Sequence, residues 1–314
     1  MTSTYLPRPV GFTGAGAVTL TRRAARTGEI AVQVISESRP VVQAIFLMRA
    51  CIAAGMPFQF SVRAAGVLAG WSMLSVAIYV LNGVTDRDGD RVNGSRRPIA
   101  TGALPPEVAM RAVALLAVAG TALCAAVDRR TLPLTIGFLA LGWAYSAGPA
   151  FKNRPVGFAA TIGTGAALTY AIGWVASGVV APALIGFGAA MAVWVTLTCA
   201  AKDFSDCEGD RLAGRRTWPV LLGAHRAARR LAACAITGSL AMLALAAVVD
   251  ASLWLVALVV AAGSVALGRT CARSISPAAV SAETARTSRR SPYRVFMSTQ
   301  YVAHLALVLG AMLA

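Results

Sequence analysis

Charge is scarce in this sequence. Only 13% of its 314 residues are Asp, Glu, Lys or Arg, against roughly 25% in soluble domains. Acid is the scarcer sign, with 13 Asp and Glu facing 29 Lys and Arg. Lysine is nearly absent, represented by Lys152 and Lys202 alone. The 6 cysteines contain no Cys-x-x-Cys pair, which excludes a disulfide scaffold and leaves small buried hydrophobes. A composition that is 57% hydrophobic, with a mean hydropathy of +0.66, excludes disordered and collagenous chains.

What the chain has instead is apolar length. Apolar windows cover roughly 42–60, 63–83, 107–126, 131–148, 156–178, 181–201, 228–249, 251–268 and 294–313. A helix of about 20 residues crosses the hydrocarbon core of a bilayer, so the sequence predicts an all-α, polytopic membrane protein with about nine transmembrane helices. Residues 1–38 are polar and lack the apolar core of a signal peptide, and no apolar segment closely follows Arg22-Arg23. They read as a cytoplasmic tail with a surface helix near 24–37, preceding one membrane domain over 39–314.

The net charge of +16 invites a nucleic-acid reading, and the placement of the charge removes it. With nine spans, Arg63, Arg129 and Arg130 fall on one side and Arg49 falls inside the first span; the remaining basic residues share the other side. Such asymmetry is a topology signal. It makes the basic side and the N-terminus cytoplasmic and the C-terminus external. The alanine- and arginine-rich composition points to a bacterial cell membrane.

The acids are clustered. Asp86, Asp88 and Asp90 form one window, and Asp203, Asp206, Glu208 and Asp210 form another, each at the cytoplasmic end of an even-numbered span. Asn82, Asp86 and Asp90 are spaced i, i+4, i+8, while Asp203, Asp206 and Asp210 are spaced i, i+3, i+7. On a helix each trio shares one face. Stacked carboxylates repel unless a cation neutralises them, and Mg2+ is the hard ion that shares carboxylates with substrate phosphates. Solvated loop charge explains neither the spacing nor the pairing. An EF-hand fails because Arg91 stands where its glycine is needed.

Basic loops adjoin both windows: Asn93-Gly-Ser-Arg96-Arg97-Pro98, the Tyr145-to-Lys152 segment after the fourth span, and Arg215-Arg216-Thr217-Trp218-Pro219. At these residues the sequence resembles the UbiA superfamily of intramembrane prenyltransferases. The block Asn82-Gly-Val-Thr-Asp86-Arg-Asp-Gly-Asp90, with Arg97-Pro98 and Gly102 behind it, is similar to that family's NDxxDxxxD motif and trailing RPxxxG. Asp203-Phe-Ser-Asp206-Cys-Glu-Gly-Asp210, with Gly214, Thr217 and Pro219, is similar to its DxxDxxxD and GxxTxP. Gly83 departs from the pattern, standing where the family usually has Asp.

The resemblance implies helices around a central cavity, with Asn82, Asp86, Asp90, Asp203, Asp206 and Asp210 holding Mg2+ and a diphosphate. It implies that Arg97, Tyr145, Lys152 and Arg39 contact the diphosphate, with Asp86, Asp203, Lys152 and Tyr145 carrying the catalysis. The implied partners are a prenyl diphosphate, an aromatic or other lipid-soluble acceptor and membrane lipid, with neither nucleic acid nor an obligate protein partner. Trp71, Trp143, Trp174 and Trp194 either line the cavity as cation-stabilising ring faces or simply pack.

Arg49 stands mid-span, where arginine is costly. It faces either a substrate headgroup or another helix. Gly163-Thr-Gly165 and Gly186-Phe-Gly188 read as close helix packing, and His225 and His304 carry no expected role. A membrane terpene cyclase would use the same ionising residues without an acceptor. A transporter would place its acids mid-span, which this sequence does not.

Overall fold

A computed structural model describes residues 15–55, 57, 61–178, 181–274 and 282–313. Residues 1–14 of the expected tail lie outside them. The described residues fold into helices α1 (Ala15–Glu37), α2 (Pro40–Ala53), α3 (Val62–Val92), α4 (Pro98–Thr101), α5 (Pro106–Val127), α6 (Leu132–Ser146) and α7 (Pro155–Ser177). They continue as α8 (Pro182–Thr198), α9 (Asp203–Leu212), α10 (Trp218–Leu222), α11 (Ala224–Val248), α12 (Trp254–Ser274) and α13 (Ala282–Leu313).

Proline sets the helix starts. Pro40, Pro98, Pro106, Pro155 and Pro182 each take the first helical position, where a missing N–H costs nothing and φ is already helical. Ser61 opens α3 by accepting the Ala64 N–H at 3.0 Å, and Asp128 closes the α5–α6 turn by accepting the Arg130 N–H at 3.0 Å.

Among the described residues, seven helices are long and apolar enough to cross a membrane, or eight if the pair bent by 74° between α1 and α2 is one span. The protein is therefore an integral membrane protein, but the expected count of nine is not established. Each predicted window overlaps a helix, and two of those helices are short. α2 has 14 residues, about 21 Å of helix, because the chain turns at Gly55, whose φ is +82°. α6 has 15 residues. Neither crosses about 30 Å of hydrocarbon on its own.

The core runs through the bundle and is built on Trp71, Trp194, Tyr170, Phe138 and Phe187, each fully buried. Gly188 packs where an added Cβ would stand 3.0 Å from both Tyr170 and Trp174, and Gly186 is equally tight against Leu245. Gly163 is pressed on Thr196, whereas Gly165 has ordinary room. The expected surface helix is α1. Its last turns are docked, with Val34 buried in a small cluster with Val80, Ile99, Leu104 and Ala109.

One local structure occurs twice. The pattern Asp-x-x-Gly-Asp-Arg-x-x-Gly spans Asp86–Gly94 and again Asp206–Gly214. In both copies the final glycine has positive φ, +60° and +68°. The next N–H returns to the second Asp carbonyl at 2.8 Å, from Ser95 to Asp90 and from Arg215 to Asp210. Both helices thus end in the same turn, and each turn leads to a proline-initiated short helix, α4 or α10.

Candidate active site

The two motif ends close on one polar pocket, lined by Arg39, Asp86, Asp90, Lys202, Asp206, Asp210 and Arg215. Asn93 joins them, accepting the Gly209 N–H at 3.0 Å. Below it lies a partly open cavity. Its walls are largely apolar and aromatic, including Phe46, Tyr79, Phe138, Tyr145, Phe158 and Phe296. Arg39 and Lys202 line both spaces, so they mark the junction.

The first trio shares a helix face as its spacing requires. Asn82 donates to Asp86 Oδ2 at 2.9 Å, and Asp86 is 6% exposed. Lys152 Nζ donates to Asp86 Oδ1 at 2.7 Å and to Thr85 Oγ1 at 2.6 Å. Burial lowers the Lys152 pKa from its ordinary value, and the pull of Asp86 does not cancel that shift. Asp88 points away, pairing with Arg87 and Arg91 in the open.

The second trio begins after a 3-10 turn over Cys199–Lys202, so the span tightens before α9 carries the acids. Asp206 accepts from Ser205 at 2.8 Å and lies 3.8 Å from Lys202. Asp210 accepts from Arg215 Nη1 at 3.2 Å. Arg215 also binds Asp86, and this one guanidinium bridges the two motifs. Burial works against its charge, but Asp86 and Asp210 outweigh burial and raise its pKa.

Arg215 is the residue that sequence reasoning left among topology charges. Its signal was the repeated pattern, which places it directly after Gly214 as Ser95 follows Gly94. Glu37 was also missed. It is 0% exposed, its Oε1 lies 2.6 Å from Arg97, and its Oε2 accepts the Ile99 N–H at 2.9 Å. Arg97 in turn donates to Asp90 at 2.7 Å and to the Glu37 and Tyr79 carbonyls. Arg97 therefore ties α1 to α3 and lines neither space.

Arg39 sits in the α1–α2 bend with φ +60°, a strained conformation for a residue with a Cβ, and its guanidinium makes no ion pair among the described residues. Tyr145 lines the cavity beside Phe158, ring centroids 6.2 Å apart. The tryptophans do not line it. Trp71 stacks on Phe138 at 4.2 Å and Trp194 on Phe296 at 5.6 Å, backing wall residues from behind. Trp143 is 56% exposed and Trp174 packs against the core. His225 is exposed. His304 is buried between Tyr170 and the Gln300 carbonyl, 2.7 Å from each.

The donor set suits a hard cation. Its side chains are carboxylates and an amide, and the side chain of Asp203, a residue 5% exposed, has no ion-pair or hydrogen-bond partner among the described residues. A buried carboxylate without a partner calls for a cation. No three acidic, histidine or cysteine side chains converge on one point among the described residues. Such a set is one that completes its coordination with ligand oxygens.

A sequence profile of the UbiA prenyltransferase family matches residues 41–312. Digeranylgeranylglyceryl phosphate synthase of Halobacterium salinarum is 30% identical over 238 residues, 75% of this chain and 84% of that protein. The enzyme of that name from Pyrococcus abyssi is 35% identical over 150 residues, 47% of this chain and about half, 52%, of the relative. The fold is similar to a UbiA homologue of Archaeoglobus fulgidus bound to DMAPP and Mg2+, with TM-score 0.67 and 20% identity over 86% of this chain and 98% of that one. It is also similar to a UbiA homologue of Aeropyrum pernix, TM-score 0.64 and 18% identity over 85% and 97%.

Proposed function

This chain belongs to the UbiA prenyltransferase family, and from that premise we propose that it moves a prenyl group from a prenyl diphosphate to an electron-rich, aromatic acceptor within the membrane. The observation that carries the reading is the junction at Arg39 and Lys202, where a polar, carboxylate-lined pocket adjoins an apolar, aromatic-walled cavity. An amphiphile with a charged diphosphate and an isoprenoid tail fits both halves.

In this reading Asn82, Asp86, Asp90, Asp203, Asp206 and Asp210 hold Mg2+ with the diphosphate. The bound ion supplies neutralisation of the leaving group's charge. Arg39, Lys202 and Lys152 orient the diphosphate, with Tyr145 at the cavity mouth. Arg97 acts through Asp90. The allylic C–O bond breaks with its electron pair leaving on the diphosphate, and the acceptor carbon forms the new C–C bond and then loses its proton. The aromatic walls exclude water from the allylic cation and offer it ring faces.

The arginine asymmetry supports a cytoplasmic motif face, an external C-terminus and a bacterial membrane. The proposed catalytic unit is 39–314, with 1–38 as its tail.

Product analysis by mass spectrometry tests the reading. Protein in lipid receives geranyl, farnesyl or geranylgeranyl diphosphate with Mg2+, with and without a panel of aromatic acceptors, beside an EDTA control. Mg2+-dependent prenylated acceptor is the expected product. A cyclic hydrocarbon formed without acceptor would make the protein a cyclase and overturn the transfer reading.

A further inference from the structure

Helices α11 and α12 bring five arginines to the motif face of the bundle. Arg226, Arg229 and Arg230 occupy the first two turns of α11, and Arg269 and Arg273 the last two of α12. All five are exposed, and none lines either space of the site. No Asp or Glu occurs in α10, α11 or α12, and none of the five arginines forms an ion pair among the described residues. Elsewhere on that face Arg87 and Arg91 share Asp88, and Arg97 holds Glu37 and Asp90. A topology signal requires basic residues on one side of the membrane. It does not require a cluster stripped of acid.

The two helix ends are in register. An added Cβ on Gly268 of α12 would stand 3.3 Å from the Ala232 Cβ on α11, so the two backbones approach closely there. A short turn at Ala251–Leu253 joins the helices, and they run antiparallel. Arg269 therefore lies at the level of Leu231, and Arg273 at the level of Ala227, interleaved with Arg226, Arg229 and Arg230. The Trp218 ring, 5.2 Å from the guanidinium carbon, holds Arg230 in place. Away from the motif face the same stripes turn apolar and stay open. Ile236 and Leu240 on α11, and Val265 and Leu258 on α12, are each more than half exposed and continue the arginine faces at helical spacing.

Fixed positive charge at the end of an open apolar face is complementary to an anionic lipid, whose phosphate meets the arginines while its acyl chains lie along the stripes. We propose that the α11–α12 arginine cluster is a binding site for a phospholipid whose headgroup carries two phosphates. The charge and the geometry select that class. One monoanionic phosphate leaves most of the five guanidinium groups uncompensated, whereas two phosphates on one molecule engage α11 and α12 together. A soluble anion has no chains to cover the apolar stripes. The inference is independent of the group that the enzyme transfers and of which side of the membrane the motif face occupies.

The test is native mass spectrometry of the full chain, released from neutral detergent micelles containing cardiolipin or phosphatidylglycerol at equal phosphate. A single cardiolipin is expected to stay bound, about tenfold more tightly than phosphatidylglycerol. Arg229→Gln with Arg273→Gln, one change on each helix, lowers cardiolipin affinity about tenfold, and Arg226→Gln with Arg269→Gln does the same. Arg111→Gln with Arg154→Gln removes equal charge from exposed arginines elsewhere and leaves the affinity unchanged. Helix content by circular dichroism verifies that each variant is folded. Equal affinity for the two lipids, or an equal loss in the Arg111 and Arg154 control, reduces the cluster to diffuse positive charge and overturns the proposal. Displacement of bound cardiolipin by an equal amount of geranylgeranyl diphosphate without Mg2+ makes the cluster an approach for a prenyl diphosphate and also overturns it.

Discussion

Glu37 and Arg97 are ion-paired at 2.6 Å across 60 residues of sequence, and the pair fills the space that a side chain at position 83 would need. An added Cβ on Gly83 would collide with the Glu37 carboxylate and stand 2.7 Å from Arg97 Nη2. In the repeated motif the counterpart of Gly83 is Asp203, one residue after Lys202 as Gly83 follows Asn82. The acid that the first copy lacks in its own helix is thus delivered to that place from α1.

This relationship predicts a compensating pair. Gly83→Asp puts two carboxylates into one buried space, and Glu37→Ala leaves Arg97 with Asp90 as its remaining ion-pair partner among the described residues, so each single change is expected to destabilise the fold. The double variant restores one acid beside Arg97. A double-mutant cycle on thermal unfolding in detergent is expected to show the double variant more stable than either single one. Additive destabilisation would mean that residue 83 and Glu37 do not share the space.

Arg215 is expected to behave as part of the site and not as a topology charge. It holds Asp86 and Asp210 together and stands where a leaving diphosphate would develop charge. Arg215→Ala should lower the rate of diphosphate release by about 10²-fold, the usual cost of removing one fixed donor to developing charge, with membrane insertion unchanged. Arg216→Ala, whose backbone N–H already serves the Asn153 carbonyl at 2.9 Å, should cost little. Equal effects of the two changes would return both arginines to the positive-inside signal.

Much of this was legible in the sequence because it is local. The i+4 spacing of Asn82, Asp86 and Asp90 dictates a shared face, and α3 runs on to Val92 to provide it. The apolar windows overlap helices because burial in lipid demands internal backbone pairing. What was not legible depends on distant partners. Arg97 reads as a diphosphate ligand, but its ion pair with Glu37 is not legible, because nothing in the periodicity of α1 announces that contact. The tryptophans read either as cavity walls or as packing residues, and only structure reveals that Phe138 and Phe296 stand between two of them and the space. The short α2 follows from a turn at Gly55, which an apolar window running to residue 60 passes over.

Gly165 offers a ruler for the donor. It lines the cavity, and a Cβ there would meet Leu141 and Phe138 only at 3.8 and 3.9 Å. Gly165→Ala should therefore be accepted and stabilise α7 by about 0.5–1 kcal/mol through helix propensity. Gly165→Phe projects a ring into the cavity and should shift turnover from geranylgeranyl toward geranyl diphosphate. Competition between the two donors, read by mass spectrometry, checks this. An unchanged product ratio would place the isoprenoid tail elsewhere.

Asp203 separates stability from activity. Its side-chain carboxyl has no hydrogen-bond or ion-pair partner among the described residues, so the isosteric Asp203→Asn breaks no such contact and is expected to leave the unfolding temperature equal or higher in EDTA. The same change deletes a proposed Mg2+ ligand, so added Mg2+ and prenyl diphosphate should no longer raise that temperature, and diphosphate release should fall to background. Asp88→Asn is the control, because Asp88 is exposed and pairs with Arg87 and Arg91 away from the pocket; it should keep both responses. A destabilised Asp203→Asn that still gains stability from Mg2+ would make Asp203 a packing residue and shift the ion-binding role to Asp206 and Asp210 on that helix.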